Sequence, residues 1–118
     1  MLYEDLGIAN ALISDLTWDT DAVHMGHGVA VSLRDRNVPR QRFLAQVRSL
    51  ASQSGVAHQW EVESEGSSDA AGIQRSGSPW NWVFVGAPER HPHTNHEEVR
   101  ASDLNAMADM LVVLAERL

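Results

Sequence analysis

Residues 80–85 read Trp-Asn-Trp-Val-Phe-Val, an almost unbroken run of aromatic and β-branched side chains. Such residues are enriched in strands because they pack well on a pleated, half-buried surface. The flanking segments Gly77-Ser78-Pro79 and Gly86-Ala87-Pro88 carry the residues that favour turns. The pattern therefore predicts a buried strand over residues 80–85, bounded by a turn on each side.

Three other segments also have strand character. Residues 7–16 (GIANALISDL) form a mostly apolar run whose length suits a buried strand, with Asp15 at its end. Residues 29–33 (VAVSL) are rich in β-branched side chains. Residues 58–63 (HQWEVE) alternate large and polar side chains, which is typical of a half-exposed strand. Together with residues 80–85 these segments predict about four strands.

Three helices are expected between and after these strands. Apolar residues at three-to-four spacing follow Pro39 and stop before Gly55, which predicts a helix over residues 39–54. A short helix is predicted at residues 69–75, and Ser102 is a suitable N-cap for a final helix. The predicted apolar face of that last helix consists of Leu104, Met107, Leu111, Leu114 and Leu118. Strands that alternate with helices indicate a layered α/β sandwich.

Length and composition limit the possible functions. The 118 residues suit one domain, residues 1–118, and no apolar run approaches the length of a membrane span. A net charge of −7 would repel a phosphate backbone, so nucleic-acid binding is not expected. The acidic start of the chain does not resemble a secretory signal, and the cysteine count is zero. We expect a cytoplasmic protein.

A histidine-rich segment is the first candidate for chemistry. Residues 91–98 (HPHTNHEE) place three imidazoles and two carboxylates between a predicted strand and a predicted helix. Such a segment can be a solvated surface loop, or a simple metal site centred on His91, His93 and His96. Spacing alone leaves both interpretations open.

Aspartates supply a second set of candidates. Asp15, Asp19 and Asp21 follow or end the first predicted strand, where aspartate commonly serves as a turn or cap residue. Asp69 stands at the start of a short helix, where its carboxylate would accept backbone N–H bonds or complement the helix dipole. From the residues alone, neither position indicates catalysis.

Taken together, three segments resemble one family, the dinuclear zinc aminopeptidases that include the glutamyl, deblocking and tetrahedral-assembly enzymes. Residues 14–21 (SDLTWDTD) resemble the family's strand end D-V-T followed by an aspartate turn. Residues 66–74 (GSSDAAGIQ) are similar to its G-T-D-A-x-A-I stretch, with Ser68 in place of threonine. Residues 88–99 (PERHPHTNHEEV) resemble its R-Y-x-H-S-x-x-E-V stretch.

The resemblance implies specific roles. Asp15 takes the position of one zinc ligand and His93 that of the last zinc ligand, while Asp69 lies beside the site and shapes it. The implied fold is a three-layer α/β sandwich fragment of the zinc-peptidase type, with a mixed sheet. The implied cofactor is zinc, and carboxylate and imidazole ligands also accept cobalt or manganese. The implied reaction removes the N-terminal residue of a peptide.

The family's other ligands and its base lie upstream of the matched region. They are a second histidine, a bridging aspartate and a glutamate pair, and an inserted β domain also lies there. We therefore expect a partial aminopeptidase that is inactive alone and acts on peptides when an upstream half completes it. The alternative is a non-catalytic binding or assembly module of the same fold. Exposed sheet edges predict a homo-oligomer or a swapped dimer.

Overall fold

The computed structural model describes residues 9–63, 66–76 and 80–118. Within these residues the chain forms five strands and three helices. In chain order they are β1 (Asn10–Trp18), β2 (Val29–Arg34), α1 (Gln41–Gln53), β3 (His58–Val62), α2 (Ala70–Arg75), β4 (Asn81–Arg90), β5 (Glu98–Val99) and α3 (Ala101–Arg117). The predicted turn at residues 77–79 and the start of the first predicted strand, residues 7–8, lie outside the described residues.

The strands form one mixed sheet in the order β1-β4-β2-β3, with β5 also paired to β4. β4 runs parallel to β1 over nine residue pairs, from Asn10 opposite Asn81 to Trp18 opposite Glu89. β2 runs parallel to β3 and antiparallel to β4. The aromatic segment predicted from residues 80–85 is thus the central strand of the fold, and the predicted mixed sheet is confirmed.

The two faces of the sheet are covered unequally. Alternate residues of β2 and β4, including Val31 and Val83, pack against α1 and α3 in the main core. The intervening side chains Trp82 and Phe84 point to the other face, where they pack with Ile13 and the short helix α2. The result is the predicted three-layer sandwich, in which a helix of only six residues covers part of one face.

The last helix packs with most of its predicted apolar face, together with residues that the prediction left out. Its fully buried apolar residues are Met110 and Leu114, with Ala106 nearly buried, whereas Leu104 is exposed. Met107 and Leu111 only flank the core. Leu114 of the predicted face is thus in the core and Met107, Leu111 and Leu118 pack against it, whereas Leu104 was wrongly included. The prediction also left out Ala106, Met110 and a buried aspartate, which hydrophobic spacing does not reveal.

That aspartate is Asp103, which links α3 to the turn before β2. Its carboxylate accepts hydrogen bonds from the backbone N–H of Gly26 at 2.7 Å and of Gly28 at 2.9 Å. Gly28 has a φ of +98°, and a Cβ there would lie 2.2 Å from the carbonyl oxygen of Ala57. Only glycine fits this conformation and this close approach, so the turn is fixed by backbone contacts.

Two strands extend beyond their predicted ends. β4 continues to Arg90 because β1 pairs with it as far as Glu89, and β5 pairs with both of its last residues. The segment between the predicted strand over residues 80–85 and the final helix therefore contains strand residues near both of its ends, at residues 89–90 and 98–99. β1 continues to Trp18, which places Asp15 within the strand rather than at its end.

No helix in the described residues is long and apolar enough to cross a membrane.

Candidate functional site

A cavity of about 180 Å³ opens on the sheet face that carries α2. Asp15 and Thr17 follow Ile13 at two-residue intervals along β1, so all three side chains lie on this face. The ionisable side chains that line the cavity in the described part of the chain are Asp15, Asp35, Glu61, Glu63, Glu89 and His93. No arginine lines it among these residues, so the cavity is strongly acidic.

Asp15 and His93 come together at this cavity although 78 positions separate them. Parallel pairing places Asp15 opposite Gly86, near the end of β4 that leads to the histidine-rich loop. His93 has a φ of +60°, and its backbone N–H donates to Glu97 Oε1 at 2.9 Å. The strained turn and this hydrogen bond fix the loop beside the cavity.

Asp69 does not line the cavity, but its neighbours Ser67 and Ser68 do. The expected capping by Asp69 is wrong, since its carboxylate makes no cap hydrogen bond to α2. Instead Ser68 Oγ accepts a hydrogen bond from the backbone N–H of Ala70 at 3.2 Å. The serine that replaces the family's threonine thus supports the start of α2.

The other sequence candidates lie elsewhere. Asp19 accepts a hydrogen bond from Arg90 Nε at 2.7 Å and another from the backbone N–H of Met25 at 3.2 Å. Arg90 and then Met25 hold the pKa of Asp19 below its usual value. Asp19 therefore fastens the turn after β1 to the end of β4. Across residues 9–63, 66–76 and 80–118, no three His, Asp or Glu side chains form a group able to hold a metal ion.

Glu89 is a cavity residue that the sequence analysis missed. Its side chain is only 7% exposed, and Oε2 has no hydrogen-bond partner among the described residues. Burial raises the pKa of Glu89, and so do the charges of Glu97 and Asp15, whereas His93 lowers it. It was missed because the strand was expected to end at residue 85, which would have left Glu89 in a loop.

Glu61 was missed as well, and it is equally buried at 7% exposure. Thr17 Oγ1 donates a hydrogen bond of 2.5 Å to Glu61 Oε2. Burial raises the pKa of Glu61, the Thr17 hydrogen bond lowers it, and the charges of Glu63 and Asp35 raise it further. The alternation of residues 58–62 did indicate the orientation of Glu61. Trp60 packs against the main core, so its neighbour Glu61 must face the opposite side of the sheet.

Comparisons with solved structures show the same fold. The TET aminopeptidase from the marine sediment archaeon Thaumarchaeota archaeon SCGC AB-539-E09 matches with a TM-score of 0.88 and 22% identity, over 99% of this chain and 35% of that one. An aminopeptidase from Desulfurococcus kamchatkensis matches with a TM-score of 0.87 and 20% identity, over 97% of this chain and 36% of that one. An M18-family aminopeptidase from Thermotoga maritima matches with a TM-score of 0.76 and 21% identity, over 92% of this chain and 29% of that one.

These likenesses establish the architecture and show that the chain spans about a third of the length of those structures. No curated protein gives a significant match. The family model described as M42 glutamyl aminopeptidase matches residues 6–110, which is most of the sequence. The chain therefore belongs to the M42 glutamyl aminopeptidase family.

Proposed function

We propose that this chain is part of the catalytic domain of a metal-dependent aminopeptidase, and that it acts only when a polypeptide supplies the upstream part of the site. The observation that carries the proposal is the meeting of Asp15 and His93 at one acidic cavity. Asp15 lies within β1, and His93 lies three residues beyond the end of β4, the parallel partner of β1. Separate motifs implied both residues as ligands.

The residues present fit a metal ion of the expected type. A carboxylate and an imidazole suit zinc, cobalt and manganese. Glu89, whose pKa responds to both Asp15 and His93, buries a carboxylate oxygen without a partner among the described residues. A cation at this end of the cavity would compensate that buried charge. Asp15 and His93 would hold the metal, which when bound polarises the scissile carbonyl and activates water.

Two protein ligands are too few for a catalytic site. Catalytic zinc usually keeps three protein ligands and an open position, and among the described residues the resemblance implies Asp15 and His93 alone as ligands. The upstream part of the family's domain would add the remaining ligands and the base. Asp69, which follows the cavity-lining Ser68 in the chain, would lie beside the completed site and contribute to its shape. The substrate would be a peptide, cleaved after its first residue.

Reconstitution of turnover tests the proposal. The chain would be fused behind, or mixed with, a polypeptide carrying the upstream part of the domain, and peptide-amide hydrolysis would be followed with zinc, cobalt or manganese. His93→Ala and Asp15→Asn should each lower turnover by about 100-fold or more, since even outer partners of metal ligands are worth roughly 10- to 100-fold.

His96→Ala is the matched control, because His96 lies exposed in the same loop and does not line the cavity in the described structure. It should leave turnover within about twofold of the unsubstituted protein, as expected for a surface position. Turnover that survives His93→Ala would contradict the proposed ligand. Metal binding without turnover in the completed protein would favour the non-catalytic binding or assembly module.

A further inference from the structure

Three carboxylates, Asp35, Glu61 and Glu63, form a second acidic group in the cavity, here called the acidic end. Glu61 is held by Thr17, which stands two residues beyond Asp15 on the same face of β1. Two residues along a strand span about 7 Å. The acidic end is therefore separate from Asp15 and close enough for one amino-acid side chain to bridge the interval.

Ser32 provides an independent sign of a ligand at the acidic end. It pairs in register with Glu61 across β2 and β3, so both side chains lie on the same face of the sheet. Ser32 is 1% exposed, lines the cavity, and its Oγ has no hydrogen-bond partner among the described residues. Buried hydroxyls are normally satisfied, so a group entering the cavity would complete this one.

Neutral donors bind the carboxylates of Asp35 and Glu61 at the acidic end. Asp35 accepts hydrogen bonds from the backbone N–H of Asn37 at 2.6 Å and from Ser68 Oγ at 3.3 Å. Thr17 supplies one neutral donor to Glu61. These donors are uncharged, and no arginine lines the cavity in the described part of the chain. A positively charged group would gain both Coulomb energy and hydrogen bonds here.

Apolar surface also lines the cavity that contains the acidic end. The ring of Phe84 and the indole of Trp18 both line the cavity. A long basic side chain combines an apolar stem with a charged head, and it buries the stem along such surface. The cavity thus offers apolar walls leading to carboxylates, which is the complement of lysine or arginine.

We propose that the acidic end binds the ammonium or guanidinium head of an N-terminal lysine or arginine, with Glu61 and Ser32 as its principal partners. The inference rests on the proposed function, because it makes this cavity the place where the first residue of the peptide lies. An acidic first residue would meet like charge here. The chain should therefore favour basic residues, although its family model carries the description glutamyl aminopeptidase.

The test is a binding titration of the whole 118-residue chain in the presence of EDTA, followed by NMR of the tryptophan indole signals. The probes are lysinamide, argininamide, norleucinamide and the α-amide of glutamic acid. Norleucinamide keeps the α-amino group and an aliphatic side chain like the lysine stem, but lacks the side-chain charge. At least one basic amide should bind about tenfold more tightly than norleucinamide, as one charge-assisted hydrogen bond would give. The glutamate amide should bind most weakly.

Glu61→Gln keeps an acceptor for Thr17 and should abolish the preference for the basic amides. Ser32→Ala removes only the hydroxyl and should weaken lysinamide or argininamide binding while leaving norleucinamide unchanged. Glu116→Gln, at an exposed position on α3, is the control and should retain the preference.

Equal affinity for lysinamide, argininamide and norleucinamide, or a preference that survives Glu61→Gln, would overturn the inference. So would the absence of saturable binding by both basic amides. Because the titration contains no metal and measures no turnover, such a result would leave the metal-dependent function standing. Conversely, failed reconstitution of turnover would not alter this binding result.

Discussion

Buried acidic side chains distinguish this cavity from an ordinary surface cleft. Asp35, Glu61 and Glu89 are each 7% exposed, although charged groups are seldom buried unless they are paired. Thr17 donates to Glu61, the backbone N–H of Asn37 donates to Asp35, and Glu89 Oε2 has no hydrogen-bond partner among the described residues. Such an arrangement costs folding free energy, and positions where a protein bears that cost are commonly functional. The stability of single variants should therefore reveal the cost.

Glu61→Gln should stabilise the folded chain at neutral pH by about 1 kcal/mol, because it removes a buried charge but keeps the Thr17 hydrogen bond. Burial raises the folded-state pKa of Glu61 above its ordinary value of 4.5. The folded state then binds more protons than the unfolded state, so this group favours folding below about pH 4.5 and loses that contribution as pH rises through the folded pKa.

Urea unfolding between pH 4 and pH 8 would measure this difference. The stabilisation by Glu61→Gln should be small near pH 4 and grow as the pH rises. Glu116→Gln, at an exposed helical position, should show no such trend. The difference in stability between Glu61→Gln and the unsubstituted chain is the quantity to compare at the two pH values. If this difference fell from pH 4 to pH 8, the carboxylate would be stabilising.

The site residues divide by how far the sequence could reveal them. Asp15 and His93 stand in short motifs, so the resemblance identified them before the strands were aligned. Glu61 and Ser32 face each other only because β2 and β3 pair in one register, and register depends on long-range contacts. The position of Glu89 could be recognised only once it was known that pairing with β1 keeps β4 extended beyond residue 85. Local pattern could not supply either fact.

At the scale of elements, β4 organises the molecule. It pairs with β1, β2 and β5, and its alternate side chains enter both cores. The sequence predicted this strand and the order of the main elements from aromatic content, turn residues and helical spacing. It missed β5, because a two-residue strand of Glu98 and Val99 forms only where β4 offers an edge. It also did not predict the hydrogen bonds by which Asp103 of α3 binds the turn before β2.

Asp103→Ala should destabilise the chain by about 2–4 kcal/mol, because the buried backbone N–H of Gly28 and the partly buried backbone N–H of Gly26 would lose their acceptor. Thermal unfolding followed by circular dichroism would measure the change. Asp109→Ala is the matched control on the same helix, since Asp109 is exposed. If both variants unfold at the same temperature, the link between α3 and the glycine turn contributes little.

At the scale of the whole molecule, the sheet ends in two edges, β1 and β3, whose outer sides have no partner strand in the described residues. One face is also covered in part by a helix of only six residues. Open edges favour pairing with another chain. This geometry supports either completion by an upstream half or self-association, as a homo-oligomer or a swapped dimer.

Sedimentation velocity at increasing concentration should therefore show association of the isolated chain. Val62→Lys, at a position of β3 that is 66% exposed, should weaken it, because charged residues protect sheet edges. Val112→Lys, on α3 at 55% exposure, makes the same substitution away from an edge and should have no effect. A strictly monomeric chain at high concentration would contradict the prediction.

Calorimetric titration with zinc tests the central claim most directly, because it asks whether Asp15 and His93 are ligands in a site that this chain only partly supplies. The chain alone should bind zinc weakly, the protein completed by an upstream part should bind it tightly, and Asp15→Asn or His93→Ala should each remove the tight binding. Tight binding of two ions by the chain alone, or tight binding by the completed protein that survives both substitutions, would contradict it.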